Sequence, residues 1–191
     1  LSLISQTEER YRFAKLSRIA GEKANRTAAY EASLNYYLQG ISLLPDEHWK
    51  EFREESLALF LGAAEAAFLV GHFDKMDELC RTILVESHEE MDQLKVYEVL
   101  VSGNLAQTKL ADAVEIGFKA LSILGVNFPA KVEETDWREW RRRVDECLGA
   151  KEVQALIEEP AMVCEKAIMK LRILSRLLPA VYKFCPEYLP L

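Results

Sequence analysis

The stretch Ala63-Ala64-Glu65-Ala66-Ala67-Phe68-Leu69-Val70-Gly71-His72-Phe73-Asp74-Lys75-Met76 decides the fold of this chain. Small side chains over residues 63–67 let one helix approach a neighbour closely. Gly71 opens a turn, and Phe73 and Met76 start the apolar stripe of a second helix. The pattern returns on both sides. Tyr30, Phe73 and Leu110 occupy one position, 43 and 37 residues apart. Ser33, Met76 and Ala113 take the next inward position, and Ala20-Gly21, Ala63-Ala64 and Leu100-Val101 the close contact of each first helix. Helix pairs returning at this interval are the mark of a repeat array.

Working outward, Ser5 with Glu8 three residues later has the form of a capping box opening a first helix that runs to about Ala24. A return helix is predicted over 28–44, with Tyr30, Leu34, Tyr37, Ile41 and Leu44 on one face. Pro45-Asp46 ends it, and Asp46 is placed to cap the next. Third and fourth helices follow over 51–70 and 72–85. Ser87 with Glu90 opens a fifth to about Gln107, and a sixth runs over 111–124 until Gly125 and Pro129 close it. Beyond Pro129 the pattern changes. Asp136 and Glu139 cap a helix carrying Trp137, Trp140, Val144 and Leu148 on one inward stripe; a short helix over 150–157 ends at Pro160; a long apolar-periodic helix covers 162–178.

The 191 residues suit one sizeable core, and 50% hydrophobic with 29% charged residues is globular composition. Few Gly and Pro argue against an all-β fold. A net charge of −7 argues against general binding to a phosphate backbone, and no apolar run reaches the length of a membrane helix. Cys80, Cys147, Cys164 and Cys185 show neither disulfide nor zinc spacing and read as buried, reduced thiols. The start at Leu1 lacks both a basic signal-peptide region and Met, so the chain reads as a piece of a longer, cytoplasmic protein.

Ala20-Gly21-x-x-Ala24 followed by Tyr30, and Gly71-x-Phe73-x-x-Met76, resemble the signature of the tetratricopeptide family. The period is longer than that family's ~34 residues and the proline after its second helix is mostly missing. A second resemblance covers more of the chain, from about Ile19 to the end. Residues 29–37, Asp92-Gln93-Leu94-Lys95-Val96-Tyr97-Glu98, Leu124-Gly125-Val126-Asn127-Phe128-Pro129, Arg172-Ile173-Leu174 and residues 186–191 are similar to a helical segment of large signalling kinases. Those multidomain bacterial and fungal proteins join a serine/threonine-kinase-like domain, a P-loop ATPase, the helical array, a GAF domain and a histidine kinase. The resemblance implies that any kinase or ATPase chemistry lies outside this segment.

The residues agree with that implication. There is no Gly-rich phosphate cradle and no hydrolase motif. Ser87-His88-Glu89 has the first letters of a histidine-kinase phosphoacceptor box, but Glu90-Met91-Asp92-Gln93 follows where Arg-Thr-Pro-Leu belongs; a helix N-terminus is the plainer reading. His48 and His72 have no partner at metal-ligand spacing. Adjacent carboxylates such as Glu54-Glu55 diverge by about 100° on a helix and read as solvated charge. Arg138, Arg141, Arg142 and Arg143 beside Trp137 and Trp140 read as the wet face of an amphipathic helix. No catalytic, cofactor-binding or metal-ligating set is expected. In tetratricopeptide arrays the first helix of each pair faces a concave groove. Superposition assigns Arg18, Glu22, Leu61, Glu65, Glu98 and Ser102 to it, a set with too few cations to clamp a carboxylate.

The expectation is therefore an all-α chain, a tetratricopeptide-like α-solenoid of about nine or ten helices in antiparallel pairs forming a right-handed superhelix. Three pairs occupy 1–129; 130–191 adds a further pair with an insertion, or capping helices, in the same domain. The expected role is a non-catalytic interaction and scaffold module of a signal-transduction protein, contacting neighbouring domains or a partner peptide, with no nucleic acid, no membrane insertion and no cofactor. A stand-alone groove-binding adaptor is the first alternative. The second is a ligand-sensing helical domain with Tyr97, Trp137, Trp140 and Tyr182 around a pocket.

Overall fold

The computed structural model describes residues 2–129, 131–149 and 160–189. Among them are nine α-helices, one short 3-10 helix and no strand: α1 Ser2–Arg26, α2 Tyr30–Leu43, α3 His48–Glu51, α4 Arg53–Val70, α5 Phe73–Glu86, α6 Glu90–Ala106, α7 Leu110–Ile123, α8 Glu134–Leu148, α9 Glu165–Phe184 and the 3-10 turn Pro186–Tyr188. The all-α expectation holds for these residues. The chain forms two compact units, Leu1–Gly103 and Asn104–Leu191.

The predicted register of the second helices is met to the residue. Tyr30, Phe73 and Leu110 are each the first residue of a 14-residue helix. The residue before each has nearly the same backbone: φ −83°, ψ 62° at Ala29, φ −83°, ψ 66° at His72, and φ −82°, ψ 67° at Lys109. Each is preceded by a left-handed residue, Ala28 at φ 57°, Gly71 at φ 89° and Thr108 at φ 62°. The same hydrogen bond closes all three turns. Ala29 N donates to Ala24 O (2.9 Å), His72 N to Ala67 O (2.8 Å) and Lys109 N to Asn104 O (2.9 Å). This is the wide bond of a Schellman cap, which satisfies carbonyls that a helix end leaves open. One turn geometry is thus written three times, once on glycine and twice on residues that resist it.

In the first unit α1 packs on α2 and α4, α2 on α4, and α4 on α5. The α1–α2 pair is antiparallel: Arg10 reaches the carbonyl of Leu44 at one end (3.4 Å), and Ser33 Oγ donates to Gly21 O near the other (2.9 Å). Arg10 there places a cation over the carbonyl end of α2. The core holds Leu34, Tyr37, Leu59, Met76, Leu79 and Ile83 among alanines 63, 64, 66 and 67. Fully burying side chains of the size of Leu59, Met76 and Ile83 contributes about 1.5–3 kcal/mol each. The expected inward residues Ser33, Met76 and Ala113 are all completely buried. In the second unit α9 packs on α7, with Leu177 seated against Gly117, where a Cβ would stand 2.3 Å from Leu177 Cδ1.

Several local expectations are corrected. Helix α1 begins at Ser2, so Ser5 lies inside it rather than capping it; the Ser5 side chain is outside the described residues. The third helix is met as α4, but a short helix not expected from sequence, α3, precedes it across Phe52, and Asp46 caps neither: the residue before α3 is Glu47 and the residue before α4 is Phe52, neither with a side-chain cap. Ser87 ends α5, its N–H donating to Ile83 O, and its hydroxyl donates to Asp92 Oδ2 (2.6 Å), a partner that the expected pairing with Glu90 does not include. Helix α8 starts at Glu134, before Asp136, and Val144 is exposed, so the inward stripe is not formed there; the side chains of Asp136, Trp137 and Leu148, and residues 150–157, lie outside the described residues. All four cysteines are free, but Cys147 and Cys164 are exposed, the latter because α9 starts only at Glu165. Cys80 matches the expected buried thiol, its pKa pushed up to about 12 by burial and, less, by Asp77 and Glu65.

His48 shows what α3 achieves. Its Nδ1 lies 2.8 Å from Ser56 Oγ, and that hydroxyl also lies 2.9 Å from Phe52 O and 3.1 Å from His48 O. With the serine proton on a backbone carbonyl, Nδ1 is the donor to Ser56. The ring stacks on Phe60 (5.8 Å) beside Trp49 (5.5 Å). Burial holds its pKa below the usual 6.5, against a weaker upward pull from Glu86.

Two predictions follow from these elements. Thr108→Gly relieves the left-handed strain and should raise stability by about 0.5–1 kcal/mol, while Gly71→Ala should lower it by about 1 kcal/mol, both read from urea unfolding midpoints. For His48, the unfolded state takes up the proton first as pH falls below about 6.5, so stability declines with acidification until the folded ring titrates too. Comparing His48→Gln with the parent chain from pH 7.5 to 5 should show a shallower decline in the variant; equal slopes would remove His48 from the account.

Candidate functional site

The residues assigned to a concave groove come from α1, α4 and α6. On α1, Arg18 and Glu22 are one turn apart and pair. The guanidinium also reaches across to α4, its Nε donating to Glu55 Oε1 at 2.7 Å. Glu55 is only 7% exposed and Arg18 24%, so this bond is largely desolvated. Burial alone would lower the Arg18 pKa, but the bond to Glu55 and the charges of Glu55 and Glu22 outweigh it and the net shift is upward. Arg18 is therefore a fully committed cation.

Tyr37 of α2 stands beside this cluster. Its ring is wedged between two glycines on different helices. A Cβ on Gly21 would meet Tyr37 Cε1 at 2.9 Å, and one on Gly62 would meet Cζ at 2.5 Å. Burial raises the phenol's pKa, and the carboxylates of Glu22 and Glu65 raise it further, against Arg18 and Ser33. The structure thus brings Arg18, Glu22 and Glu65 around one phenol. Leu61 lies half-buried on α4.

Glu98 and Ser102 differ from the other four. Both are buried on α6, at 6% and 8% exposure, and Ser102 Oγ donates to Glu98 O within that helix (2.9 Å). They offer a partner little surface. The reason is register: α6 is apolar around most of its circumference, with Leu94, Val96, Val99 and Val101 all buried, so residues aligned with Arg18 by superposition are also covered.

Glu55 and Asp92 were missed from sequence. Glu55 reads as one of an adjacent acidic pair, and Asp92 as part of an acidic helix start. In the structure each is a buried acceptor for an arginine. Asp92 pairs with Arg53 of α4, which also approaches Ser87 Oγ (3.3 Å). The available signal was spacing: Arg18 to Glu55 spans 37 residues and Arg53 to Asp92 spans 39, both close to the repeat.

The other candidates separate. The tripeptide Ser87-His88-Glu89 has its serine buried at 1% exposure and bonded to Asp92. His72 is the exposed residue before α5. Two of the four arginines of the α8 patch are paired on their own helix: Arg142 with Glu139 (2.8 Å) and Glu146, and Arg143 with Glu139 (3.1 Å) while lying over the Trp140 ring. Of the four pocket aromatics, Tyr97 is buried, Tyr182 is 68% exposed, Trp140 is half-buried and Trp137 has its side chain outside the described residues. Among the described residues no cluster of His, Cys, Asp and Glu has the geometry to hold a metal ion. No described helix is long and apolar enough to cross a membrane.

Compared with characterised proteins, the chain is 22% identical over 158 residues to hybrid signal transduction histidine kinase G of Dictyostelium discoideum. The match takes in 76% of this chain and 5% of that protein's length. No family model matches the chain. No solved structure matches it.

The Arg18 cluster generates a graded prediction. Glu55→Ala leaves a largely buried guanidinium short of its best acceptor and should cost about 1–3 kcal/mol. Glu22→Ala, at a more exposed carboxylate, should cost about 0.5 kcal/mol or less. Urea unfolding of the two variants checks the order.

Proposed function

We propose that this chain is a non-catalytic helical interaction module within a large signal-transduction protein, built as a tetratricopeptide-like α-solenoid of antiparallel pairs with a right-handed superhelix. The observation that carries the reading is the similarity along three quarters of the chain to a small part of a hybrid histidine kinase. The threefold turn at Ala28, Gly71 and Thr108 supports the repeat, because equal turns at repeat spacing let successive pairs stack in the same way. The charged side chains support a structural rather than a catalytic part. Arg18, Arg53, Glu55 and Asp92 are spent on bonds between first helices.

In this reading the module relays or scaffolds between neighbouring domains, and its contacts are with protein. Exposed apolar side chains favour such contacts. Phe13, Leu16 and Ile19 lie on α1 at more than half exposure, and Leu171 and Leu178 do so on α9. Arg18 is committed to two carboxylates, so a peptide's terminal carboxylate is a poor ligand for this surface.

Reading the coding DNA on both sides of the segment tests the proposal. The expected result is an open frame continuing into ATPase-like sequence upstream and sensor or histidine-kinase sequence downstream. A start codon directly before Leu1 with a stop directly after Leu191 would overturn it in favour of a free-standing adaptor.

A further inference from the structure

The second unit contains an apolar cavity of about 270 Å³ that the signalling reading leaves without a role. Its wall is built from Phe118 on α7, Phe128 in the turn after it, Trp140 on α8, Leu174 and Leu178 on α9, and Tyr188 in the 3-10 turn. Among the described residues no charged side chain lines it. The one hydroxyl among the lining residues, on Tyr188, donates to Pro129 O at 2.8 Å, so it ties the wall together.

The wall is braced against collapse. Phe118 stacks on Phe128 with ring centroids 4.4 Å apart, and Tyr188 meets both edge-on at 5.2 and 6.0 Å. Each ring holds the next in an orientation favourable for aromatic pairs. Leu177, the large side chain best placed to swing inward, is pinned on the bare backbone of Gly117. An enclosed apolar cavity of about 150 Å³ stays dry and holds benzene; this one is larger and opens to solvent beside Leu178. In proportion, this one has room for roughly ten non-hydrogen atoms.

We infer that the second unit is a binding site for a small, uncharged, flat aromatic molecule of bicyclic size. Burial in an uncharged wall rejects an ionised ligand, whose desolvation nothing on the wall offsets. Four of the ten lining residues are aromatic, which favours an aromatic ligand through offset and edge-on ring contacts. The half-exposed Leu178 at the edge of the cavity gives the route of entry.

Indole is the probe, used with the full 191-residue chain by calorimetry and saturation-transfer NMR. Saturable binding to one site is expected, with Kd on the order of 100 μM. Leu178→Trp, which fills the mouth, and Val126→Phe, which fills the cavity from the opposite loop, should each weaken it by about tenfold or more. Leu171→Trp, on the same helix but outside the cavity wall, should leave it unchanged. Indole-3-acetate, carrying a charge, should bind about tenfold more weakly or worse. Circular dichroism shows which filled variant is folded, and either one suffices. No saturable binding at about 2 mM indole, an unchanged Kd in a folded filled variant, or equal binding of the charged analogue would overturn the inference.

Discussion

Close packing of a large side chain onto a bare stretch of neighbouring backbone is the constraint on which this chain depends. Tyr37 is the central case. It projects from α2 and touches Gly21 of α1 and Gly62 of α4. A single added carbon at either place would drive into the ring. The same arrangement recurs with Leu59 against Gly40 and Met76 against Gly103, and in the second unit with Leu177 against Gly117. Interaxial distance in helix packing is set by the side chains at the crossing, so these contacts decide how near the helices come and which residues are left facing outward. The alanines of α4 serve the same end more gently, since four of them are wholly buried.

Electrostatics then selects among the packings that size permits. Arg18 joins α1 to α4, and Arg53 joins α4 to α6, each through a carboxylate that is nearly buried. The two bonds link successive first helices and skip the second helices between them. A buried ion pair adds little net stability against a well-packed apolar pair, but a shifted register would strand a buried charge at a cost of several kcal/mol. Bonds of this kind therefore penalise slippage of α1 on α4 and of α4 on α6. The same bonds, with that of Arg18 to Glu22, withdraw Arg18, Glu22 and Glu55 from recognition, so the surface beside Tyr37 offers a partner no uncommitted arginine at Arg18.

The two units divide the possible tasks. The first is closely packed, and its polar side chains are engaged in helix-to-helix bonds. The second keeps a space that its described side chains do not fill, framed by three mutually braced rings. A module that acts by contact needs the rigidity of the first; a module that answers to a small molecule needs the space of the second. Similarity to one part of a long signalling protein is compatible with both, since relay between domains gains from a segment whose stability a ligand can change.

Local periodicity and turn chemistry determined the helices and their mutual register: Tyr30, Phe73 and Leu110 were legible as equivalent positions, and the helices begin at them within one or two residues of the expected starts at 28, 72 and 111, because the 3.6-residue pattern and a turn before it are encoded within a dozen neighbouring residues. Ser33, Met76 and Ala113 were legible as inward residues for the same reason. Capping was less legible. A Ser-x-x-Glu spacing is common, and it says nothing of the bond that Ser87 gives Asp92 or of Arg53 beside it, 34 residues away. The groove was legible in part. Superposition carries a position from one repeat to the next but not its burial, and α6 is surrounded where α1 is not, so Glu98 and Ser102 are covered while Arg18 is only half so. Of the cavity only Trp140 was legible, since Tyr97 and Tyr182, the other described aromatics expected around a pocket, are not among its lining residues. Which rings meet is decided by the fold of residues 118, 128, 140 and 188 onto α9, a matter of long-range packing that no local pattern contains.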